Sequence, residues 1–113
     1  MPEENVDRRV KKTKRQLRLA LMSLMSEKAQ KHISVRELAE RADINPGTFY
    51  IHYKDVSDLL QRLEDEMADR LSEMCLRHAS NTEISSYPFL TDLYHFVLDN
   101  ADLCRVLLGP NGD

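Results

Sequence analysis

Apolar residues recur along the chain every three or four positions, which is the period of an amphipathic helix. No stretch rich in Val, Ile and Thr alternates with polar residues as a half-buried strand would. The pattern predicts a first helix from Thr13 to about Lys28, with Thr13 and Gln16 as its capping box and a frayed start before it. An all-α fold follows.

Three further helix starts carry side chains that cap helices. Ser34 and Glu37 form a capping box ahead of a helix of about eight residues. Asn45 is a favourable cap for a third helix, and Pro46 fits its first position, where the missing N–H costs nothing. Asp55 is a cap for a fourth, amphipathic helix of about twenty residues with an acidic outer face.

The last third of the chain predicts two shorter helices after a polar connector. The connector covers residues 78–87, the fifth helix runs from Pro88 to about Asn100, and the sixth covers residues 101–108. Residues 55–113 are therefore interpreted as a linking helix and a partial regulatory or dimerisation domain. Its apolar residues that lack cover, and serve self-association, are predicted to be Phe89, Phe96, Val106, Leu107 and Leu108.

The net charge of −3 hides an asymmetry along the chain. Residues 1–60 hold 12 basic and 9 acidic side chains, whereas residues 61–113 hold 4 and 10. Seven of the basic residues lie between Arg8 and Arg18, where no acidic residue occurs. The pattern indicates a polyanion-binding end, with a merely solvated helix start as the alternative. We interpret residues 1–12 as a flexible basic arm, and the binding residues around its end as Lys11, Lys12, Lys14 and Arg15.

Two short helices joined by a turn of three or four residues form a helix-turn-helix, whose second helix enters the DNA major groove. Residues 13–54 are predicted to be such a domain. Asp43 stands at the turn, where left-handed backbone is tolerated better by Asp than by most residues. Phe49 and Tyr53 lie four positions apart and are predicted to pack inward, while the small Ala39 lets another helix cross closely.

The start of the third helix has the composition of a surface that approaches a ligand closely. Gly47 has no side chain and Thr48 a small one. Backbone N–H groups at a helix start, together with the helix dipole, favour a phosphate. Tyr50, His52 and Lys54 are predicted to add phosphate hydrogen bonds or positive charge.

The sequence offers no pattern for an enzyme, a cofactor or a metal. It contains no Gly-rich phosphate loop or nucleophile elbow, and His32, His78 and His95 have no partners at metal-ligand spacing. It also lacks an apolar run long enough to span a membrane. Cys75 and Cys104 are interpreted as reduced core thiols of a cytosolic protein.

The combined pattern resembles the tetracycline-repressor-like (TetR/AcrR) transcriptional regulators. The resemblance covers Lys14 to Leu63, and no single fragment of it is specific. The residues that carry it are Ser34-Val35-Arg36-Glu37-Leu38-Ala39-Glu40-Arg41-Ala42, Ile44, Gly47-Thr48-Phe49-Tyr50, His52-Tyr53 and Leu59-Leu60.

The resemblance implies a three-helix DNA-binding head, a fourth helix that links it to a helical body, and a homodimer on a palindromic operator, typically as a repressor. It also implies a bacterial cytoplasmic, nucleoid-associated location, with a small-molecule effector only in a full-length form. Implied contacts to a backbone phosphate or base edge are Ser34 and Arg36, those to bases are Asn45, Pro46, Gly47 and Thr48, and those to phosphates are Tyr50 and His52.

Two positions and the length depart from the family's pattern. The family often has Lys at the start of helix four and a basic residue before the Gly, where this chain has Val56 and Pro46. Only about 50 residues follow Leu63, fewer than the family's usual body. The departures at Val56 and Pro46, together with the acidic net charge, leave an alternative open, a protein-interaction co-regulator whose repressor-like head does not itself bind DNA.

Overall fold

The structure, a computed structural model, describes residues 2–79 and 87–109. Within these ranges it contains helices and no strand, so the predicted all-α fold is confirmed. The predicted connector lies mostly outside the described residues, as do residues 110–113. The helices are α1 (Pro2–Met25), α2 (Val35–Ala42), α3 (Pro46–His52), α4 (Val56–Arg77), α5 (Tyr87–Asp99) and α6 (Ala101–Leu108), with a short 3-10 turn (Gln30–His32) before α2.

The predicted start of α1 is wrong. The helix begins at Pro2, so Thr13 lies in its interior and caps nothing, and the segment interpreted as a flexible arm continues the helix through residues 2–12. No Gly or Pro interrupts the sequence between Pro2 and Met25, and its many Lys, Arg and Glu residues are good helix formers. Helix propensity therefore outweighs the local capping signal at Thr13.

The caps predicted for α2, α3 and α4 are confirmed. Side-chain oxygens of Ser34, Asn45 and Asp55 accept the backbone N–H groups of Glu37, Gly47 and Asp58 at 3.0, 2.8 and 2.7 Å. The carboxylate of Glu37, however, lies 2.6 Å from the ammonium of Lys28 instead of completing the box at Ser34. Only the Ser34 half of the capping box forms, and Glu37 instead pairs with Lys28 in the segment between α1 and α2.

The core joins the first three helices to the start of α4 and to α6. Phe49 of α3 and Leu103 of α6 are both fully buried in the same cluster. Val106 and Leu107 pack against it, so the prediction that these two residues lack cover is wrong. The other members of the buried cluster are Leu17, Ala20, Leu21, Met22, Leu24, Met25, Ile33, Leu38, Ala42, Tyr53, Val56, Leu59 and Leu63.

Both cysteines are free thiols, but the prediction that they are core residues fails for one of them. Cys75 is exposed and Cys104 is half-buried. The neighbouring Met74 is the residue of that turn of α4 that faces inward, with 2% of its surface exposed. Burial of Met74 places Cys75, one position later, on the outer face of the helix.

An ion pair holds α6 against α1. The guanidinium of Arg18 lies 2.9 Å from the Asp102 carboxylate and also reaches the side-chain oxygen of Asn100 at 3.5 Å. Burial alone would raise the pKa of Asp102. The hydrogen bonds from Arg18 and from the Leu103 N–H, together with the charge of Arg18, outweigh burial and hold that pKa below its ordinary value.

Asp102→Asn should lower the free energy of unfolding at neutral pH by roughly 1 kcal/mol, because it removes a partly exposed ion pair. Since the folded-state pKa of Asp102 is depressed, this contribution is present above about pH 4, the ordinary range of unfolded aspartates, and is lost as pH falls through the folded-state value. Urea unfolding of both proteins between pH 3 and 7 measures the difference. Asp69→Asn, an exposed position on α4, is the control, and a difference that does not change with pH would contradict the assignment.

Candidate nucleic-acid interface

The turn between α2 and α3 consists of three residues, 43–45. Asp43 adopts left-handed backbone with φ 59° and ψ 46°. Its N–H and that of Ile44 bond to carbonyl groups in the last turn of α2, with Ile44 reaching the Ala39 oxygen at 2.9 Å. This pattern closes a helix C-terminus tightly. Ala39 is itself fully buried, so the turn and the crossing of the two helices are fixed together.

The exposed tip of α3 is formed by Asn45, Pro46 and Gly47, with the half-buried Thr48 beside them. A Cβ atom added to Gly47 would lie 3.2 Å from the Asn45 side-chain oxygen, tighter than an ordinary contact. Any larger residue at this position would therefore press on the cap of the helix. The tip presents little bulk to whatever approaches it.

The N-terminal N–H groups of α3 are already bonded, which corrects the expectation that they await a phosphate. Pro46 has no N–H, that of Gly47 donates to the Asn45 side chain, and that of Thr48 donates to the Asn45 carbonyl at 2.9 Å. The helix start thus offers a dipole but no free donor in its first three residues. A ligand that approached these three residues would meet no unbonded backbone N–H group.

Two aromatic residues anchor α3 from its inner face. Phe49 is fully buried and Tyr53, just after the helix, has 6% of its surface exposed, with 5.6 Å between the two ring centres. Burial raises the pKa of Tyr53, and the nearby Glu66 carboxylate adds to the rise. The guanidinium of Arg62 lies over the Tyr53 ring at 5.7 Å, so α4 also takes part in this anchor.

The predicted phosphate-binding residues lie along the outer side of α3 and its end. Tyr50 is 58% exposed, and its ring packs edge-on against Phe49 with centres 5.5 Å apart. His52 is half-buried and Lys54 is exposed. The backbone N–H of Lys54 donates to the Asp58 carboxylate, and this bond and the pairing with Arg62 keep the pKa of Asp58 below its ordinary value. A negative charge therefore lies near Lys54.

Ser34, the N-cap of α2, and Arg36, on α2, are both exposed and already have partners within the head. The Ser34 hydroxyl accepts the Glu37 N–H and keeps its own O–H free to donate. The Arg36 guanidinium is 3.8 Å from the Glu40 carboxylate, a long and exposed ion pair that a phosphate can displace readily. Val56, where the family often has Lys, is buried in the core.

The four predicted basic residues of the arm are exposed on α1: Lys11, Lys12, Lys14 and Arg15. Lys28, just after α1, pairs with Glu37 in the first turn of α2. Ser23, earlier in the chain, accepts a hydrogen bond from Arg41 in the last turn of α2, so the two helices run antiparallel. Among the described side chains, the first buried residue of α1 is Leu17. The basic residues thus lie on a helical extension that precedes the packed head.

The DNA-binding residues predicted from the sequence do not include three exposed residues that lie next to them. Arg8 and Arg9 continue the basic stretch of α1 toward its start. Ile51, on α3, has 76% of its surface exposed and follows Gly47 by four positions and Thr48 by three. Helical spacing alone puts Ile51 on the face that these two residues share, so the signal was present in the sequence.

Two properties of the described residues bear on other kinds of site. No helix in the described ranges is long and apolar enough to cross a membrane. The same ranges contain no group of three or more His, Cys, Asp and Glu side chains that could hold a metal ion. His78, one of the histidines considered above, lies 2.7 Å from the Asp92 carboxylate.

Two short capped helices that cross over a three-residue turn define a helix-turn-helix protein. The family described as bacterial regulatory proteins, tetR family, matches residues 13–63, which cover α2, α3 and the adjoining parts of α1 and α4. Residues 13–63 therefore carry the domain of the tetR family of bacterial regulatory proteins.

Two curated relatives are named as transcriptional regulators. The uncharacterized HTH-type transcriptional regulator YxbF of Bacillus subtilis (strain 168) is 25% identical over 101 residues, which are 82% of this chain and 26% of that protein. An uncharacterized HTH-type transcriptional regulator of Haemophilus influenzae is 26% identical over 92 residues, 79% of this chain and 45% of that protein. The chain thus spans less than half the length of either relative. No solved structure matches it.

Tyr50→Phe should weaken binding to all duplex DNA sequences similarly, by roughly 1 kcal/mol, because it removes one hydroxyl donor and keeps the ring against Phe49. Fluorescence anisotropy with several unrelated duplexes measures the change. Tyr87→Phe makes the same chemical change at an exposed position on α5 and should have no effect. Wild-type affinity in the Tyr50→Phe protein would show that Tyr50 does not contact phosphate.

Proposed function

We propose that the chain is a sequence-specific DNA-binding transcriptional regulator, a repressor that binds a palindromic operator as a homodimer. The observation that carries this proposal is the exposed, low-bulk tip of α3, which is aimed outward by the buried Phe49 and by the closed turn at Asp43. In a helix-turn-helix such a tip enters the major groove. The names of the two relatives support the same role.

Sorted by role, the predicted DNA contacts fall into two groups. Phosphate contacts that position the head are assigned to Tyr50, His52, Lys54 and Ser34, and contacts in the groove to Arg36 and the tip of α3. The exposed Lys11, Lys12, Lys14 and Arg15 add a stretch of positive charge that attracts the duplex independently of its sequence. Positive charge on the first part of α1 thus compensates for the acidic α4, whose outer face would otherwise repel DNA.

Residues for the dimer contact are assigned to α5. Its exposed apolar side chains, here called the α5 stripe, recur at the spacing of a helix-pairing seam and are Leu90, Tyr94, Val97 and Leu98. Four side chains are fewer than a stable dimer contact usually contains, so the pairing is expected to be weak without DNA. A small-molecule effector would need a longer form of the protein. Such a regulator would act on the bacterial nucleoid, in the cytoplasm.

Selection from a random duplex pool at two salt concentrations tests DNA binding directly. We expect a palindrome to be enriched, with an affinity that falls as salt rises, by about 0.9 in the log–log slope for each phosphate neutralised. Half-site centres should lie about 34–36 Å apart or at a multiple of that distance. Absence of binding at low salt would favour the protein-interaction co-regulator. Salt-sensitive binding without enrichment would retain DNA binding and remove sequence specificity.

Tyr94→Glu should abolish dimer formation by placing a charge in the α5 stripe, where Tyr94 is 63% exposed. Sedimentation of the protein with one selected operator should give two protein chains per duplex for the wild type and one for the variant. Leu76→Glu, at an exposed position on α4 outside the stripe, is the control for added charge. Two chains per duplex with Tyr94→Glu would rule out the α5 stripe as the dimer contact.

A further inference from the structure

The face of α3 that points away from the core carries almost no hydrogen-bonding groups. Gly47, Thr48 and Ile51 share this face, because they are separated by three or four positions and lie opposite the buried Phe49. Gly47 has no side chain, Thr48 carries one hydroxyl and one methyl group, and Ile51 is entirely apolar. We call these three residues the apolar face of α3.

An exposed apolar side chain is ordinary by itself, and its place in the fold gives it significance. Ile51 is 76% exposed, which is more than Tyr50 beside it or Leu19 on α1. It lies at the middle of the apolar face, on the helix that the proposed function puts into the major groove. A stiff, branched side chain at this position meets the base edges with a fixed shape.

The composition of α3 limits what the helix can recognise. Within Pro46–His52 there is no Arg, Lys, Asn, Gln, Asp or Glu, the residue types that pair with guanine, adenine or cytosine edges in the groove. For an apolar side chain such as Ile51, the sequence-specific feature of the major groove that it can contact is the C5 methyl group of thymine. The one long polar residue assigned to the groove, Arg36, belongs to α2.

We propose that Ile51, together with the Thr48 methyl group, reads thymine C5 methyl groups, so that each half-site is recognised through its thymines. This inference rests on the proposed function and adds the chemistry of the recognised bases. Thr48 and Ile51 are about 4.5 Å apart along the helix axis, comparable with one to two base-pair steps. The methyl groups are therefore expected on neighbouring base pairs.

Replacing thymine by uracil tests the proposal, because uracil keeps the same hydrogen-bonding edge and lacks only the methyl group. In a selected operator, each thymine is changed to deoxyuridine singly, and affinity is measured by anisotropy. One or two positions per half-site should lose about fourfold in affinity each, the effect of removing one buried methyl-sized group. Thymines outside those positions should show no loss.

Ile51→Ala identifies the residue responsible. At one sensitive position, the loss caused by uracil should shrink from about fourfold to near unity in this variant, because the partner of the methyl group is gone. Leu76→Ala removes an equally exposed apolar side chain from the far end of α4 and should keep the full loss. Thermal unfolding followed by circular dichroism should match the wild type in both variants, since neither residue is buried.

The outcomes separate the inference from the function on which it rests. Equal affinity for thymine and uracil at every position would overturn methyl recognition and leave a DNA-binding regulator. A full uracil loss that persists in Ile51→Ala would overturn the assignment to Ile51. An equal drop for thymine and uracil operators in Ile51→Ala would also overturn it, by giving Ile51 a sequence-independent role. No salt-sensitive binding to any duplex would remove the proposed function itself, and the inference with it.

Discussion

The burial of Phe49 is the constraint on which the rest of the head depends. A helix of seven residues does not form by itself in water, because the cost of its first turn is not recovered over so short a length. Phe49 supplies the missing stability from a fully buried position, and the side-chain cap at Asn45 bonds one of the otherwise free N–H groups. Once Phe49 points inward, helical geometry dictates that Tyr50 and Ile51 point outward.

Features that depend on residues close in sequence were predictable. The caps at Ser34, Asn45 and Asp55 act over two or three positions, and the left-handed turn at Asp43 depends on one residue, so pattern and chemistry sufficed for each. The start of α1 was missed because two local signals compete there. Thr13 with Gln16 reads as a cap, yet the preceding residues are good helix formers without a Gly or Pro to stop them.

Contacts between residues that are far apart in the sequence could not be predicted from it. Arg18 and Asp102 are 84 positions apart, and nothing local marks them as partners. Leu103, Val106 and Leu107 have the same apolar spacing as a surface used for self-association, but α6 brings them to the core of the head. The exposure of Cys75 likewise follows from the inward position of Met74. For the interface, the sequence identified the residues around the tip of α3. That its N–H groups already bond to Asn45 is seen only in the three-dimensional structure.

The return of α6 also limits how the head can move. Helix α1 is held to α2 through the hydrogen bond from Arg41 to the Ser23 hydroxyl, and to α6 through the ion pair of Arg18 and Asp102. A displacement of α6 must therefore carry α1 with it or break a partly buried ion pair. Because α6 follows α5 directly, the α5 stripe and the tip of α3 belong to one packed unit. If two copies join through the α5 stripe, the distance between their two α3 helices is set by this packing and not by a flexible linker.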